Sequence, residues 1–241
     1  MNKGIVVGAV LALAGFGAGT YFARQDQPPP AAIAGSAGPS YTGGFRAEGE
    51  SAEAVKAGVA SGNIKAVAGP AGDAVIVVKD GESIQEAVKR AVPGTTIQIL
   101  PGTYHETVYI DKDNVRLIGV IEEGRRAVLD GERKLNDAIL YSGNNVVVEN
   151  LTITNYKGNG VMGQAGNNFE IRNNLIVDTG VYGIFPQLGQ NGVVEHNVVS
   201  GIEDAAIYVG MSDNVHVAHN DVFDSVAGIE IENSRHAIVE N

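Results

Sequence analysis

The sequence predicts an all-β fold, a parallel β-helix in which rungs of about 23 residues stack into a solenoid. The first observation is a repeat: asparagines recur every 23 residues, and a fifth unit begins at His236 after a spacing of 22. The four full units open at Asn145, Asn168, Asn191 and Asn214. A unit of this length cannot bury a hydrophobic core by itself, so its copies must stack on one another.

Two apolar positions recur within each unit and supply the other observations. One lies three residues after each asparagine, at Val148, Ile171, Val194 and Val217. The other follows a small residue in the second half of the unit, at Val161, Ile184, Ile207 and Ile229. The residues around these positions alternate with a period of two, which is the period of strands and not of helices. We therefore expect the recurring apolar residues to face inward.

A short helix is predicted just before the repeat. Ser83 and Glu86 have the spacing of a capping box, and Pro93 with Gly94 marks the end of the helix. Its apolar face consists of Ile84, Ala87, Val88 and Ala91. Such a helix can cover the unpaired first rung, as terminal caps do in solenoids.

The sequence of residues 1–24 predicts a segment that inserts into a membrane. Lys3 is followed by about 20 apolar or small residues, which match the hydrocarbon thickness of a bilayer. The segment is either a signal peptide or an uncleaved signal anchor. Tyr21 and Phe22 stand where a cleavage site needs small residues, which favours the anchor. The rest of the chain would then be exported, to the periplasm or the extracellular space, and held at the inner membrane by this segment.

Two further regions follow the hydrophobic segment. Residues 25–72 are rich in Pro, Ala and Gly and predict a linker, which is partly helical around 53–59. Residues 73–241 predict the β-helix domain. Its last rung stops at Asn241 without a cap, so we expect an incomplete domain whose open C-terminal end could dock a protein partner.

The acidic balance of the chain limits its partners. A net charge of -11 argues against binding to nucleic acid, for which a basic patch is expected. A polyanionic glycan would also be repelled unless a divalent cation such as Ca²⁺ bridged it to the protein. The chain has no cysteine, which excludes disulfides, thiolate metal sites and a cysteine nucleophile. No set of metal ligands is predicted, and Ca²⁺ is the only cofactor we consider.

Three stretches give the chain a family resemblance: 83–88 (SIQEAV), 101–106 (PGTYHE) and 113–119 (DNVRLIG). In this succession they resemble the beginning of the pectin-lyase-like right-handed parallel β-helix superfamily. The later units resemble its carbohydrate-binding and sugar-hydrolase repeats, as found in exported bacterial proteins. The resemblance covers residues 74–241 and implies a right-handed helix.

The enzymes of that superfamily include pectate lyases, pectin methylesterases, polygalacturonases and alginate epimerases. Their catalytic signatures are missing here: the Gly-Asp-x-Asp-Phe run, the Asn-Thr-Asp pattern and Asp-Pro-His-Glu do not occur. Motifs that use Trp cannot occur in a chain without Trp. The resemblance therefore predicts the fold, and it supports no characterised class of enzyme.

Stacked rungs place equivalent residues about 4.8 Å apart, so columns of side chains can be predicted from the repeat. Asn174, Asn197 and Asn220 form one column, which we expect to be a structural amide ladder. The neighbouring column contains His196 and His219 among asparagines. These histidines could be a metal pair or a proton shuttle. Because their column adds no carboxylate, we favour histidine replacing asparagine in a buried turn ladder.

A stripe of outward residues is the predicted binding surface. It contains Met162, Phe185, Tyr208 and Glu230, the outward neighbours of the second apolar column. Aromatic rings beside carboxylates suit a sugar ring, which stacks on the former and donates hydrogen bonds to the latter. The alternative is ordinary packing between rungs on a strand face.

Three charged residues are candidates for chemistry. Asp204 departs from its column of Gly and Val residues, and by strict alternation it faces the same way as Tyr208. With Glu203 it could supply a general acid and base, although turn carboxylates often have no chemical role. Arg172 lies between Glu149 and Glu195 in an outward ladder that predicts charge compensation, with a further role in binding a sugar or a carboxylate.

These observations lead to two functional hypotheses. The first is an exported β-helix protein that binds a polysaccharide or processes it by lyase, epimerase or glycosidase chemistry, with Asp204 and Glu203 as the catalytic pair. The second is a non-catalytic module that docks another exported protein.

Overall fold

The computed structural model describes residues 67–68 and 74–241, which consist of strands and one helix. In chain order the elements are β1 (Val67–Ala68), β2 (Ala74–Val78), α1 (Ile84–Arg90), β3 (Thr96–Ile99), β4 (Gly102–Tyr104), β5 (Val108–Ile110), β6 (Arg116–Gly119), β7 (Ala127–Asp130), β8 (Ile139–Tyr141), β9 (Val147–Glu149), β10 (Thr152–Thr154), β11 (Val161–Gln164), β12 (Glu170–Arg172), β13 (Leu175–Val177), β14 (Ile184–Gln187), β15 (Gln190–Glu195), β16 (Val198–Ser200), β17 (Ala205–Gly210), β18 (Asp213–Ala218), β19 (Asp221–Phe223), β20 (Ala227–Glu232) and β21 (Ile238–Glu240).

The strands form three sheets that the chain visits in turn. The first sheet has the order β1-β2-β3-β6-β9-β12-β15-β18-β21, the second β19-β16-β13-β10-β7-β4, and the third β20-β17-β14-β11-β8-β5. All pairs are parallel except β1 with β2. Ile171 pairs with Val148 on one side and Val194 on the other, so adjacent rungs are offset by one repeat. The predicted parallel β-helix is confirmed.

The core consists of the apolar columns that the repeat predicted. Val148, Val194 and Val217 are fully buried, and so are Val161, Ile184 and Ile207. Ile229 packs against the same core and is partly buried. In the last rung Val239 is 50% exposed. Each fully buried aliphatic side chain contributes roughly 1.5–3 kcal/mol of transfer free energy, so the stacked columns hold the solenoid together.

Helix α1 covers the first rungs as predicted, with Ile84, Ala87 and Val88 buried against the strands. The Ser83 hydroxyl accepts a hydrogen bond from the Glu86 amide at 3.2 Å. The reciprocal half of the predicted capping box is wrong, because the Glu86 carboxylate accepts from Lys89 instead. Glu106, from the next rung, caps the helix N-terminus, where its carboxylate accepts from the Ile84 amide at 2.7 Å.

Asparagines build the turns between rungs. The predicted column is a buried ladder in which Asn174 Nδ2 donates to Asn197 Oδ1, and Asn197 Nδ2 to Asn220 Oδ1, both at 3.0 Å. The asparagines that open the units form a second ladder, and their backbones lie in the left-handed region with φ of 54–55°. Asparagine tolerates this conformation better than most residues, which explains why it recurs there.

The predicted hydrophobic segment, residues 1–24, lies outside the described residues. So does the predicted linker at 25–72, apart from β1, which pairs antiparallel with the first strand of the domain. Within residues 67–68 and 74–241 there is no helix with the length and apolar character needed to cross a membrane.

Candidate functional site

The predicted aromatic stripe lies on the outer face of the third sheet. Phe185 on β14 pairs with Met162, and Tyr208 on β17 pairs with Glu230 on β20. The centroids of the Phe185 and Tyr208 rings are 4.9 Å apart in an edge-to-face arrangement. All four side chains are partly exposed. The structure therefore brings these predicted residues together on one surface.

Tyr182 is a third member of this cluster, and the sequence reasoning missed it. Its ring stacks on Tyr208 with centroids 4.7 Å apart and an interplanar angle of 23°, and it meets the edge of Phe185 at 4.8 Å. We call Tyr182, Phe185 and Tyr208 the aromatic cluster.

Tyr182 reaches the outer face because the backbone before β14 does not alternate regularly. A Cβ at Gly183 would lie 2.4 Å from Val199 Cγ1, so Gly183 faces the core, and the next residue, Ile184, is also fully buried. Two successive inward positions let Tyr182 and Phe185 share the outer face although they are three residues apart. The small residue that recurs before the second apolar column indicates that two successive positions of each unit face inward at this point.

Carboxylates surround the aromatic cluster. The Tyr208 hydroxyl donates a hydrogen bond to the Glu232 carboxylate. Burial raises the pKa of Tyr182, and the negative charges of Asp204, Glu230 and Glu232 raise it further. Within residues 74–241, no basic side chain lies within 4.0 Å of these three carboxylates. The site is thus an aromatic surface with an uncompensated negative rim.

The predicted catalytic pair lies at the start of β17. Asp204 and Glu203 are both exposed, and the Asp204 carbonyl accepts from the Ala227 amide at 3.0 Å. Because the backbone before the strand is irregular in the preceding rung, strict alternation is a poor guide to the direction of Asp204. Asp204 lies one repeat after Val181, the chain neighbour of Tyr182, and its negative charge contributes to the raised pKa of Tyr182. Glu203 makes no such contribution.

Arg172 belongs to a different surface. It lies on β12 of the first sheet, where its guanidinium pairs with Glu170 and lies 3.7 Å from Glu195. Glu149, which we expected on the same outward ladder, is only 3% exposed and accepts from Asn173 Nδ2 at 3.2 Å. The structure therefore does not bring Arg172 to the aromatic cluster.

The two adjacent histidines sit in left-handed turns, as asparagines do in the same column. His196 and His219 have φ of 55° and 53°, and their rings stack with centroids 5.1 Å apart. The expectation that this column is buried is wrong, because both side chains are exposed. In the described part of the chain, no three His, Asp or Glu side chains are grouped as metal ligands would be.

The chain belongs to the right-handed β-helix family. The model of this family, the right handed beta helix region, matches residues 120–241, half of the 241-residue chain. This match and the three parallel sheets confirm the fold class and the resemblance inferred from the sequence. A comparison with curated protein sequences gives no match.

Solved structures similar to this chain include two with TM-scores above 0.5. An alginate lyase from a Paenibacillus species has a TM-score of 0.61 and 18% identity over 69% of this chain and 65% of the lyase. A putative glycosyl hydrolase from Parabacteroides merdae has a TM-score of 0.55 and 16% identity over 68% of this chain and 96% of the hydrolase. The chain thus spans less than two thirds of the alginate lyase, and the shared feature is the fold.

Proposed function

We propose that this protein binds a polysaccharide on the outer face of its third sheet, at the aromatic cluster. The observation that carries the proposal is the cluster itself: three rings, with centroids 4.7–4.9 Å apart, are partly exposed on a rigid strand surface. Sugar rings stack on such surfaces through their C–H faces, while their hydroxyls donate to neighbouring carboxylates. The fold shared with an alginate lyase and a putative glycosyl hydrolase supports this choice of ligand.

Replacing Tyr208 by Ala tests the proposal on a glycan array with the full chain. Removal of a stacking ring should weaken binding about tenfold, since aromatic contacts of this kind contribute roughly 1 kcal/mol or more beyond the area they bury. Tyr109 on β5 is a matched control, because it is 41% exposed on the same face, three rungs from Phe185 and four from Tyr208. Tyr109→Ala should bind as the wild type does. Equal binding by wild type and Tyr208→Ala would refute the proposal.

If the protein also processes its ligand, Asp204 is our choice for the base. It is exposed just before the strand that carries Tyr208, one repeat after the chain neighbour of Tyr182, and Glu203 precedes it in the chain. Asp204→Asn keeps the size of the side chain and removes its basicity, so turnover should be lost while the fold is retained. Unchanged turnover by this variant would remove Asp204 from the catalytic role.

We further propose that residues 1–24 export the domain and hold it at the inner membrane. The hydrophobic sequence of this segment supports the proposal. A fusion of residues 1–72 to a reporter that is active only outside the cytoplasm should show activity and sediment with membranes. A reporter that stays inactive would contradict export, and one that is active but released would indicate a cleaved signal peptide.

A second candidate function is an interaction module without catalysis. Ile238 and Val239 on β21 are 54% and 50% exposed, and exposed apolar side chains of this kind favour contact with a protein partner. Failure of every glycan to bind, together with a partner whose binding depends on Val239, would favour this function over the first.

A further inference from the structure

We propose that the aromatic cluster selects a polysaccharide that carries protonated amino groups, and that Asp204 and Glu230 set this preference. The inference rests on the proposed function and adds the charge of the ligand to it. It also separates this chain from the alginate lyase with which it shares its fold, because alginate is a polyanion.

The charge around the cluster is the first argument. Glu230 is paired with Tyr208, Glu232 accepts a hydrogen bond from the Tyr208 hydroxyl, and Asp204 is exposed just before β17. No basic side chain of residues 74–241 lies within 4.0 Å of these three carboxylates. Some carboxylates elsewhere on the outer faces have basic partners, as Glu132 has Lys134 and Glu240 has His216, whereas others, such as Asp221, have none among the described residues. The distinguishing feature of this face is that its unpaired carboxylates lie on the same surface as stacked aromatic rings.

The combination of rings and carboxylates is the second argument. An ammonium group is attracted both to the face of an aromatic ring and to a carboxylate oxygen, and the two attractions add when the groups adjoin. Glu230 is in register with Tyr208 on the next rung, and Asp204 lies one repeat after Val181, the chain neighbour of Tyr182. A hexosamine stacked on these rings would place its amino group against one of these carboxylates.

The three carboxylates have different roles in this arrangement. The Glu232 carboxylate accepts a hydrogen bond from the Tyr208 hydroxyl and so fixes the orientation of the tyrosine ring. Glu232 is therefore a positioning residue. Neither Glu230 nor Asp204 has a side-chain hydrogen bond within residues 74–241. These two can therefore accept hydrogen bonds from a ligand.

A polyuronate would be repelled by the same groups. Its carboxylates would lie beside Asp204 and Glu230 without an intervening cation, and the repulsion between these negative charges would disfavour binding. The outer face of the third sheet therefore disfavours polyanionic polysaccharides and favours polycationic ones.

The test compares three oligosaccharides of equal length on the full chain by calorimetry: glucosamine, N-acetylglucosamine and guluronate oligomers. The pH is mildly acidic, so that the amines are protonated and the protein carboxylates are ionised. We expect the glucosamine oligomer to bind about tenfold tighter than its acetylated counterpart, which has the same sugar without the charge. The guluronate oligomer should bind weakest.

Variants that each remove one negative charge test which carboxylates cause the preference for the amine. Glu230→Gln and Asp204→Asn should each lower the preference for the amine about two- to fivefold, as expected for one partly exposed charge pair. Asp221→Asn removes an exposed acid from the second sheet and is the matched control, which should leave the preference unchanged. A lysine oligomer of equal charge should bind more weakly than the glucosamine oligomer, because it lacks the sugar ring.

The outcomes separate this inference from the proposed function. One contrary result is that the acetylated or the guluronate oligomer binds as tightly as the glucosamine oligomer and loses affinity in Tyr208→Ala. That result would overturn the inference and leave the proposal of polysaccharide binding intact. If Asp221→Asn weakens binding of the glucosamine oligomer as much as Glu230→Gln does, the oligomer is attracted to the acidic protein in general. That result would also overturn the inference. Absence of any binding that depends on Tyr208 would overturn both.

Discussion

A Cβ on Gly183 would lie 2.4 Å from Val199 Cγ1 and 2.5 Å from the Ala206 carbonyl oxygen. These distances are too short for any side chain, and a backbone carbonyl cannot move aside as the end of a flexible side chain can. The missing side chain at this position lets the backbone approach the core closely, and the two successive inward positions, Gly183 and Ile184, leave Tyr182 on the outer face.

Gly183→Ala should therefore destabilise the protein by about 1–3 kcal/mol, as overpacking in a close-packed interior does. Gly228 occupies the same column two rungs later, and a Cβ there would meet only Val222 Cγ2, at an ordinary 3.4 Å. Gly228→Ala should change the free energy of unfolding by less than about 0.5 kcal/mol. Urea denaturation of both variants measures the difference, and equal stabilities would contradict the packing described for Gly183.

At the scale of elements, the rungs are joined by amide ladders. Asn197 is fully buried; it donates to Asn220 Oδ1 and to the Ile171 carbonyl, and its own Oδ1 accepts from Asn174. One side chain therefore bonds to polar groups of the rung before its own and of the rung after it. Because buried amides without partners are costly, this ladder fixes the register of the turns.

Asn197→Ala should cost about 2–3 kcal/mol, because it leaves buried groups of its neighbours without partners. Asn191 in the exposed ladder is the matched control, and Asn191→Gly keeps its left-handed backbone, with φ of 54°, free of strain. We expect this control to cost less than about 1 kcal/mol. Thermal unfolding monitored by circular dichroism compares the two, and a larger loss for Asn191→Gly would show that the exposed ladder dominates.

The regular parts of this fold could be predicted from the sequence because they repeat. The inward positions of Val148 and Ile184 and the ladder at Asn197 follow from a fixed spacing and a period of two. Tyr182 could not be found in this way, since alternation fails where Gly183 bends the backbone. The burial of Glu149 and the exposure of His196 depend on which neighbouring groups cover each turn, and the repeat carries no information about that.

At the scale of the whole domain, the three sheets present different surfaces to the solvent. The first sheet pairs its charges, as Arg172 does with Glu195, whereas the third sheet carries stacked rings with unpaired carboxylates. A solenoid keeps such a face rigid over several rungs, because each strand is held by parallel neighbours on both sides. Rings on this scaffold lose little conformational freedom when a ligand binds, which favours affinity.

The measurement that tests the central claim most directly is photo-crosslinking of the full chain with diazirine-bearing oligomers of glucosamine and of N-acetylglucosamine, mapped by mass spectrometry. The account predicts that the labelled residues fall in 182–187, 205–210 and 227–232, and that unlabelled oligomer suppresses the labelling. Labelling concentrated on the strands of the first sheet, or spread evenly over the domain, would contradict a polysaccharide site at the aromatic cluster.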